Sequence, residues 1–542
     1  MQIFLGTVPV TINWQADSLE KVNYKISVTD SKALFIDERT PDVQALIYKN
    51  PSLQVHNVSE IHKTEPLKDF LKYLNSLEFF ITPASIRCII FTSGTTGNPK
   101  GVELSYENYR INALTFEQFL NLQDPAVCFC PIIVNPLHHT NSTSMTDWAL
   151  RRQGTTLHLF ERYFTQYWKV LASVIMDCPI ENVNKNMNIE DALALLVTRS
   201  SAMPRLKYVL PLVSRHIDFL EALSDTEAID VPSEVLKLCL ERSILLLGSA
   251  PVGPTTISRL LKYANNLPTV RFGSTETTLQ VSGIPLSISR VEVMKAFERG
   301  WLHQWDGVLT PGYYIGREHR QLTEVLIVRS VTPKCTPSCP SSSFGTTDQD
   351  LYMQPCVEGQ PGYIVTRGGN IMSSYVHNES EAGLPSTVPI TLDGWYVNLG
   401  DIGFFLRSEL DGGLDLYWQS RDSQMLIRGG ANYAYEQVNA ELHSFVCEHY
   451  VLDRKSISVA VCGLRVKSEH EDECCVLIEL LDDVAKEKEE NIVETFMIAT
   501  KGSGAVSKGA RPDRFRIGTI PMIASKGIID IPSLINMWKD LP

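Results

Sequence analysis

Residues 88–104, "CIIFTSGTTGNPKGVEL", decide how the rest of the chain is read. Cys88, Ile89 and Ile90 lead into Phe91, then eight of the next ten positions are Thr, Ser, Gly or Lys, and an apolar/polar alternation resumes at Val102. The pattern predicts a strand, an anion-sized loop and a second strand. Thr92, Ser93, Thr95 and Thr96 offer hydroxyl donors, Gly94 and Gly97 let the backbone fold close to an anion, and Lys100 adds a point charge. It is not a Walker A loop, which needs Gly-Lys followed by Ser or Thr and a helix opening after the lysine: Gly97 is followed by Asn98-Pro99-Lys100-Gly101. The Rossmann fingerprint is absent as well.

Outward from this stretch, apolar runs alternate with helix-period segments. "RCIIFTS", "TTLHLF", "RSILLLGSA" and "TVRFGS" read as short buried strands, and "YENYRINALTFEQFL", "WKVLASVIM" and "PTTISRLLKYANNL" as helices. This alternation predicts an α/β fold with mostly parallel sheets. The segment "TPKCTPSCPSSSFGTTDQD", dense in Pro, Ser and Gly, reads as a long loop or insertion. Past "LDLYWQSRDSQMLIRGG" the texture changes to a compact α+β unit, with strands at "SISVAVCGLRV", "CCVLIEL" and "RFRIGTI" and helices at "YEQVNAELHSFV" and "DVAKEKEENIVETFMIA". The boundary falls near Ser420, giving a large portion over 1–419 and a small domain over 425–542.

Composition narrows the functional classes. A chain of 542 residues exceeds what one hydrophobic core organises, and 44% apolar with 20% charged residues is the balance of a folded protein rather than a disordered one. A net charge of −13 and a pI near 5.5, with no basic stripe, argue against nucleic acid as a partner. The start, "MQIFLGTVPVTINW", has no positive n-region or cleavage pattern, and no apolar run is long enough to span a bilayer, so a cytoplasmic or organelle-interior protein without a transmembrane segment is expected. Twelve cysteines in so long a chain do not make a disulfide framework; Cys335, Cys339 and Cys356 invite a zinc reading, but a fourth ligand at zinc spacing is missing.

Several further stretches accompany the opening loop in a fixed order: "NPLHHTNST" (Asn135–Thr143), "LLGSAPVGP" (Leu246–Pro254), "RFGSTETT" (Arg271–Thr278), "GYIVTRGGNIMSSYV", "DGWYVNLGDIGFF" and "SRDSQMLIRGGANYAYEQVNAEL". Together with "FTSGTTGNPKGVELSYEN" they closely resemble the motifs of the adenylate-forming (AMP-binding) superfamily: acyl- and aryl-CoA synthetases, luciferases and the adenylation domains of nonribosomal peptide synthesis. The resemblance runs from near Val8 to the C-terminus. It implies the fold of those enzymes, a large multi-subdomain α/β portion and a small mobile α+β domain joined by a hinge at 420–424. It also implies their two reactions: a carboxylate joins the α-phosphate of ATP with release of pyrophosphate, and the acyl group then passes from AMP to a thiol.

By that resemblance the loop from Thr92 through Ser93, Gly94, Thr95, Thr96 and Gly97 to Lys100 closes over the β- and γ-phosphates. Glu276 holds Mg²⁺, Thr275 hydrogen-bonds the α-phosphate, and Phe272, in place of the usual tyrosine, stacks on adenine next to Gly273. Asp401 accepts the ribose hydroxyls, Arg421 reaches the ribose or phosphate from the hinge, Gly430 lies in the following nucleotide-binding turn, and His139 stands beside the acyl pocket. Lys526 serves adenylation, carried on the small domain. ATP, Mg²⁺ and coenzyme A are the implied cofactor and co-substrates.

Besides Phe272, the chain departs from the family in three places. Ser423 stands where an Asp or Lys is usual in the hinge. "ASKGIID" places Lys526 one position early, with Gly527 in the lysine's slot. Family members carry an additional N-terminal segment ahead of the stretch that "LGTVPVTINW" resembles. Either the sequence is truncated there, or apolar surface is left that a partner chain covers. The stretches Gly248–Pro251 and Ser274–Leu279 hold no charged residue besides Glu276, which points to a fatty or other hydrophobic carboxylic acid rather than an amino acid. Two rival readings are a loader that passes its acyl group to a carrier-protein phosphopantetheine and a catalytically impaired nucleotide-binding protein.

Overall fold

The computed structural model describes residues 6–13, 17–38, 40, 43–61, 72, 81–92, 99–160, 162–329, 354–376, 395–421, 425–428, 431–468, 470–523 and 528–539. Strands β1 (Ile86–Thr92) and β2 (Lys100–Ser105) form the expected antiparallel hairpin, with Thr92 opposite Lys100. Helix α1 (Tyr106–Phe119) starts directly after β2 because Ser105 caps it: the Ser105 hydroxyl accepts from the Asn108 amide at 3.1 Å, and the Asn108 side chain accepts from the Ser105 amide at 2.8 Å.

Next come β3 (Cys128–Ile133), helix α2 (Thr140–Arg151), β4 (Leu206–Val213), β5 (Ser243–Gly248) and β6 (Thr269–Phe272). Strands β3, β4, β5 and β6 pair side by side in parallel. They read as near-continuous apolar runs because helices cover both faces. On one face Leu245, Leu247 and Val270 pack with Trp168, Leu171, Val235 and Phe297; on the other Leu246, Val209 and Phe129 pack against Phe116 of α1 and Trp148 of α2. The Trp148 indole stacks on Phe129 with centroids 3.9 Å apart, a contact whose truncation to alanine costs about 3–5 kcal/mol. Side chains alternate between faces along a strand, so Gly248 joins Leu246, and Arg271 joins them, on the α1/α2 face.

The sheet then continues through β7 (Ser282–Gly283), β8 (Tyr313–Glu318), β9 (Thr323–Val328), β10 (Gly362–Gly368), β12 (Tyr396–Arg407) and β13 (Leu414–Arg421), while β11 (Ser374–Tyr375) joins the first hairpin beside β2. The eleven-stranded order is β9, β10, β12, β13, β8, β7, β6, β5, β4, β3 and the short strand His158–Leu159. The α/β architecture is as expected, but parallel pairing stops at β6 and every pairing from β6 to β9 is antiparallel. The cause is connection length: a parallel neighbour needs a crossover, whereas β12 and β13 are joined by residues 408–413 alone. "TTLHLF" yields only the two paired residues His158 and Leu159, at the sheet's edge.

Beyond residue 424 a separate core gathers Leu442 and Val446 of the helix Tyr435–Tyr450, Val461 and Val476 of two paired strands, and Leu534. It docks on the large portion through Glu471 on Arg215 at 2.6 Å and His470 on Asp218 at 3.0 Å. Among the described residues no helix is long and apolar enough to cross a membrane. Cys335 and Cys339, and hinge residues 422–424 including Ser423, lie outside the described residues.

Candidate active site

Ligand crevices of open parallel sheets lie beyond the carboxyl ends of the strands. Here the segments leaving β3, β5 and β6 meet. Three of their non-glycine residues adopt the left-handed region, Ser249 (φ 68), Thr278 (φ 54) and Leu279 (φ 114), a conformation that a side chain disfavours and that surrounding bonds must hold. Thr278 Oγ1 donates to the Asn370 carbonyl at 2.7 Å, Asn370 Nδ2 donates to the carbonyls of Thr277 and Gln280 at 3.0 and 2.7 Å, and Ser144 Oγ of α2 donates to the Thr278 carbonyl at 3.1 Å. The chain turns so sharply that a Cβ on Gly273 would sit 2.3 Å from the Leu279 carbonyl oxygen. Only glycine fits there.

This turn buries Glu276, which is 1% exposed. Its Oε1 accepts the Tyr375 hydroxyl at 2.9 Å, while Oε2 is buried with no hydrogen-bond partner. Burial and the negative charge of Glu276 push the Tyr375 phenol well above its ordinary range, so it stays protonated and keeps donating. Lys100 places its ammonium over the Tyr375 ring, 5.3 Å from the centroid, which ties the first hairpin to Glu276. Beside it, Thr140 Oγ1 donates to Thr275 Oγ1 at 3.0 Å, linking the start of α2 to the same turn.

His139 precedes α2 without capping it, and its ring lies 4.3 Å from that of His138. His139 is exposed by its surface area, yet protein atoms crowd its ring. Burial, then the Lys25 charge, pushes His139 down to about 4; burial, then His139 and Lys25, pushes His138 down to about 3. Both imidazoles are therefore neutral at pH 7.

The structure thus brings together Thr92, Lys100, His139, Thr275 and Glu276. The residue model described as AMP-binding enzyme matches positions 3–297, more than half of the chain. The chain belongs to the AMP-binding enzyme family. It is 21% identical over 420 residues to a 2-succinylbenzoate–CoA ligase of Enterococcus faecalis, covering 77% of this chain and 62% of that protein. It is 25% identical over 361 residues to the ligase of the same description from Bacillus licheniformis, covering 66% and 54%. The chain therefore spans less than two thirds of the length of these curated relatives. In fold it is similar to an o-succinylbenzoate CoA synthetase double mutant from Bacillus subtilis bound with a product analogue, at a TM-score of 0.62 and 20% identity, covering 100% of this chain and 84% of that one.

Other AMP-binding motif residues fall less simply. Asp401 is fully buried and its Oδ1 accepts the Trp418 indole at 2.9 Å. It stays connected to the site through the buried Tyr396, whose phenol is raised by burial and then by Glu276, Tyr375 and Asp401. The backbone of Arg421 stands opposite that of Asp401 in the register of β12 and β13. Phe272 is half-buried and packs toward Val281 and Ile315. Ser93, Gly94, Thr95, Thr96, Gly97, Gly430 and Lys526 lie outside the described residues.

Two residues that sequence reasoning missed belong to the site. Tyr375 stood in a quoted motif but is 99 positions from Glu276, and nothing local signals their pairing. Arg271 stood at the head of "RFGSTETT", and strand alternation alone would have set it opposite Phe272. Its guanidinium lies against Gly248, where a Cβ would come within 3.0 Å of Nη1, so a charge from outside the stretches Gly248–Pro251 and Ser274–Leu279 reaches the first of them.

Proposed function

We propose that this protein is an ATP-dependent acid–thiol ligase that activates a carboxylic acid as its acyl-adenylate and transfers the acyl group to coenzyme A. The observation that carries the reading is Glu276, buried, fixed through one oxygen by Tyr375, with the other oxygen unpartnered, in the residue that follows Thr275 of the Thr140–Thr275 hydroxyl pair. An orphaned buried carboxylate oxygen fits a hard cation that takes one or two protein carboxylates and fills its remaining positions from phosphate oxygens. Among the described residues no three acidic, His or Cys side chains gather as a self-sufficient metal cage, as suits an ion that arrives with a nucleotide. Mg²⁺ bound there would neutralise charge on the phosphates.

The chain's own residues orient and bind. Thr275, whose hydroxyl accepts from Thr140, offers its own proton toward the α-phosphate, where charge builds as a substrate carboxylate oxygen attacks phosphorus and pyrophosphate leaves. Lys100 supplies positive charge at the base of the phosphate loop. His138 and His139, held neutral, wall the acyl side without adding charge. In the second step the thiol sulfur attacks the acyl carbon, the thiol proton is given up, and AMP departs. Rotation of the small domain about 420–424 between the steps, carrying Lys526 with it, belongs to this proposal.

The curated relatives' description as 2-succinylbenzoate–CoA ligases makes 2-succinylbenzoate the first acid to try, ahead of fatty acids. Acid-dependent pyrophosphate release from Mg-ATP, followed by a CoA thioester identified by mass, is the expected result. Tight Mg-ATP binding with no release across a panel of aromatic, aliphatic and dicarboxylic acids would overturn it in favour of a nucleotide-binding protein.

A further inference from the structure

Arg271 is 3% exposed, and its Nε and Nη2 are buried with no hydrogen-bond partner. A buried guanidinium without an anion is costly, because desolvation of a charge amounts to several kcal/mol even after the protein relaxes. No carboxylate offsets that cost here: burial alone acts on its acidity, moving it down to about 9, which leaves it charged at neutral pH. Glu276, five positions on, makes its hydrogen bond to Tyr375 instead.

The position of this charge is specific. Arg271 is the penultimate residue of β6, at the carboxyl end of the parallel strands, and it faces α1 and α2 by strand alternation. Glycine at 248 leaves the space that the guanidinium occupies. Unpartnered polar atoms recur on α1 and α2: both side-chain atoms of Asn112, which is 1% exposed, and both of Asn141, which is 5% exposed and next to Thr140. Fully buried Gln280, just past the turn, leaves its Oε1 unpartnered too. So many unsatisfied groups in one layer are unusual for a finished core and suit a ligand-lined space.

Resting on the acid-activating reading above, we propose that Arg271 pairs with a second anionic group on the acid substrate, so that the substrate is a dicarboxylate whose non-reacting carboxylate is held by this guanidinium between the sheet and α1/α2. Arginine suits the task because its planar fork matches a carboxylate in two parallel hydrogen bonds. The reacting carboxylate lies toward Thr275 and Glu276, and the second one lies inward, toward Gly248.

Arg271→Met tests the pairing without orphaning a hydrogen-bond partner of Nε or Nη2, which have none; its thermal midpoint should equal or exceed the parent's. Adenylation is compared for acids of one skeleton with and without the second carboxylate, beginning with 2-succinylbenzoate and its analogue lacking the ring carboxylate. The parent should favour the dicarboxylate by 100-fold or more in kcat/KM. Arg271→Met should lose that preference, the loss falling on the dicarboxylate. Equal losses for both acids would place Arg271 on the nucleotide or the reacting carboxylate, and no loss for either would make it structural; each overturns the proposal. Direct calorimetric binding of the dicarboxylate in the presence of AMP separates the two readings. If no acid yields pyrophosphate, yet the parent binds the dicarboxylate and Arg271→Met does not, the pairing stands and the ligase reading fails; no binding to the parent sinks the pairing as well.

Discussion

Tyr375→Phe isolates the support of Glu276. The substitution removes one oxygen, keeps the ring under the Lys100 ammonium, and deletes the 2.9 Å hydrogen bond to Glu276 Oε1. Because Glu276 is 1% exposed, solvent is not placed to replace the lost donor. A hydrogen bond to a charged group contributes about 1.5–3 kcal/mol, and here nearly all of it should be lost. Urea unfolding of the nucleotide-free protein at pH 7.5 should therefore show a lower midpoint at unchanged m-value, equivalent to about 2 kcal/mol. Adding saturating Mg-ATP should recover part of the deficit, because a cation at the carboxylate supplies the missing positive partner. A midpoint within experimental error of the parent's would refute the buried carboxylate–phenol pair, and with it the reason given for the orientation of Glu276.

Gly273→Ala should destabilise by about 3 kcal/mol, since its Cβ meets backbone at 2.3 Å from Leu279 O and 2.6 Å from Gln280 Cα. Gly504→Ala, at φ +75 with open space around it, should cost only about 1 kcal/mol, and equal thermal shifts for the two would contradict this reading. Buried His216 and His319 are pushed down to about 4 and about 3 by burial, so below the unfolded value of 6.5 the unfolded chain takes up protons that the folded one refuses. Stability is then full at neutral pH and falls with acidity through this window, by about 1.2 kcal/mol per histidine between pH 7.0 and 5.5. His319→Gln should flatten that pH dependence; an unchanged slope would exclude His319 as a contributor. Lys526→Ala should lower acid-dependent pyrophosphate release by two or more powers of ten, about 3 kcal/mol, with thioester formation from supplied acyl-adenylate near normal. Equal loss in both half-reactions would remove Lys526 from its assigned role.

Much of this was legible locally. The Thr92–Lys100 loop announces its hairpin because an apolar run, a Thr/Gly cluster and a resumed alternation are consecutive in the chain, and the Gly273–Glu276 turn follows a strand in the same way. The antiparallel half of the sheet was not, because pairing partners there are chosen by short connections and edge availability rather than by any periodic signal. Tyr375 and Glu276 come together only once β11 adds to the β1–β2 hairpin, a contact between distant segments. Arg271 was readable in kind but not in consequence. One charged residue in a strand end is ordinary until the structure shows that it is buried, unpartnered and laid across a glycine. The bond from Trp418 to Asp401, between residues 17 positions apart, was likewise not readable from the motif.

The most direct test of the proposed chemistry is a magnesium titration of acid-dependent pyrophosphate release with Glu276→Gln beside the parent. The amide can still accept from Tyr375, so the fold should hold, but it ligates a hard cation poorly. The variant should lose about two powers of ten or more at moderate magnesium, about 3 kcal/mol of transition-state stabilisation, with partial recovery at high magnesium. Release at the parent rate across the whole titration would contradict the assignment of Glu276 as the residue that holds the cation.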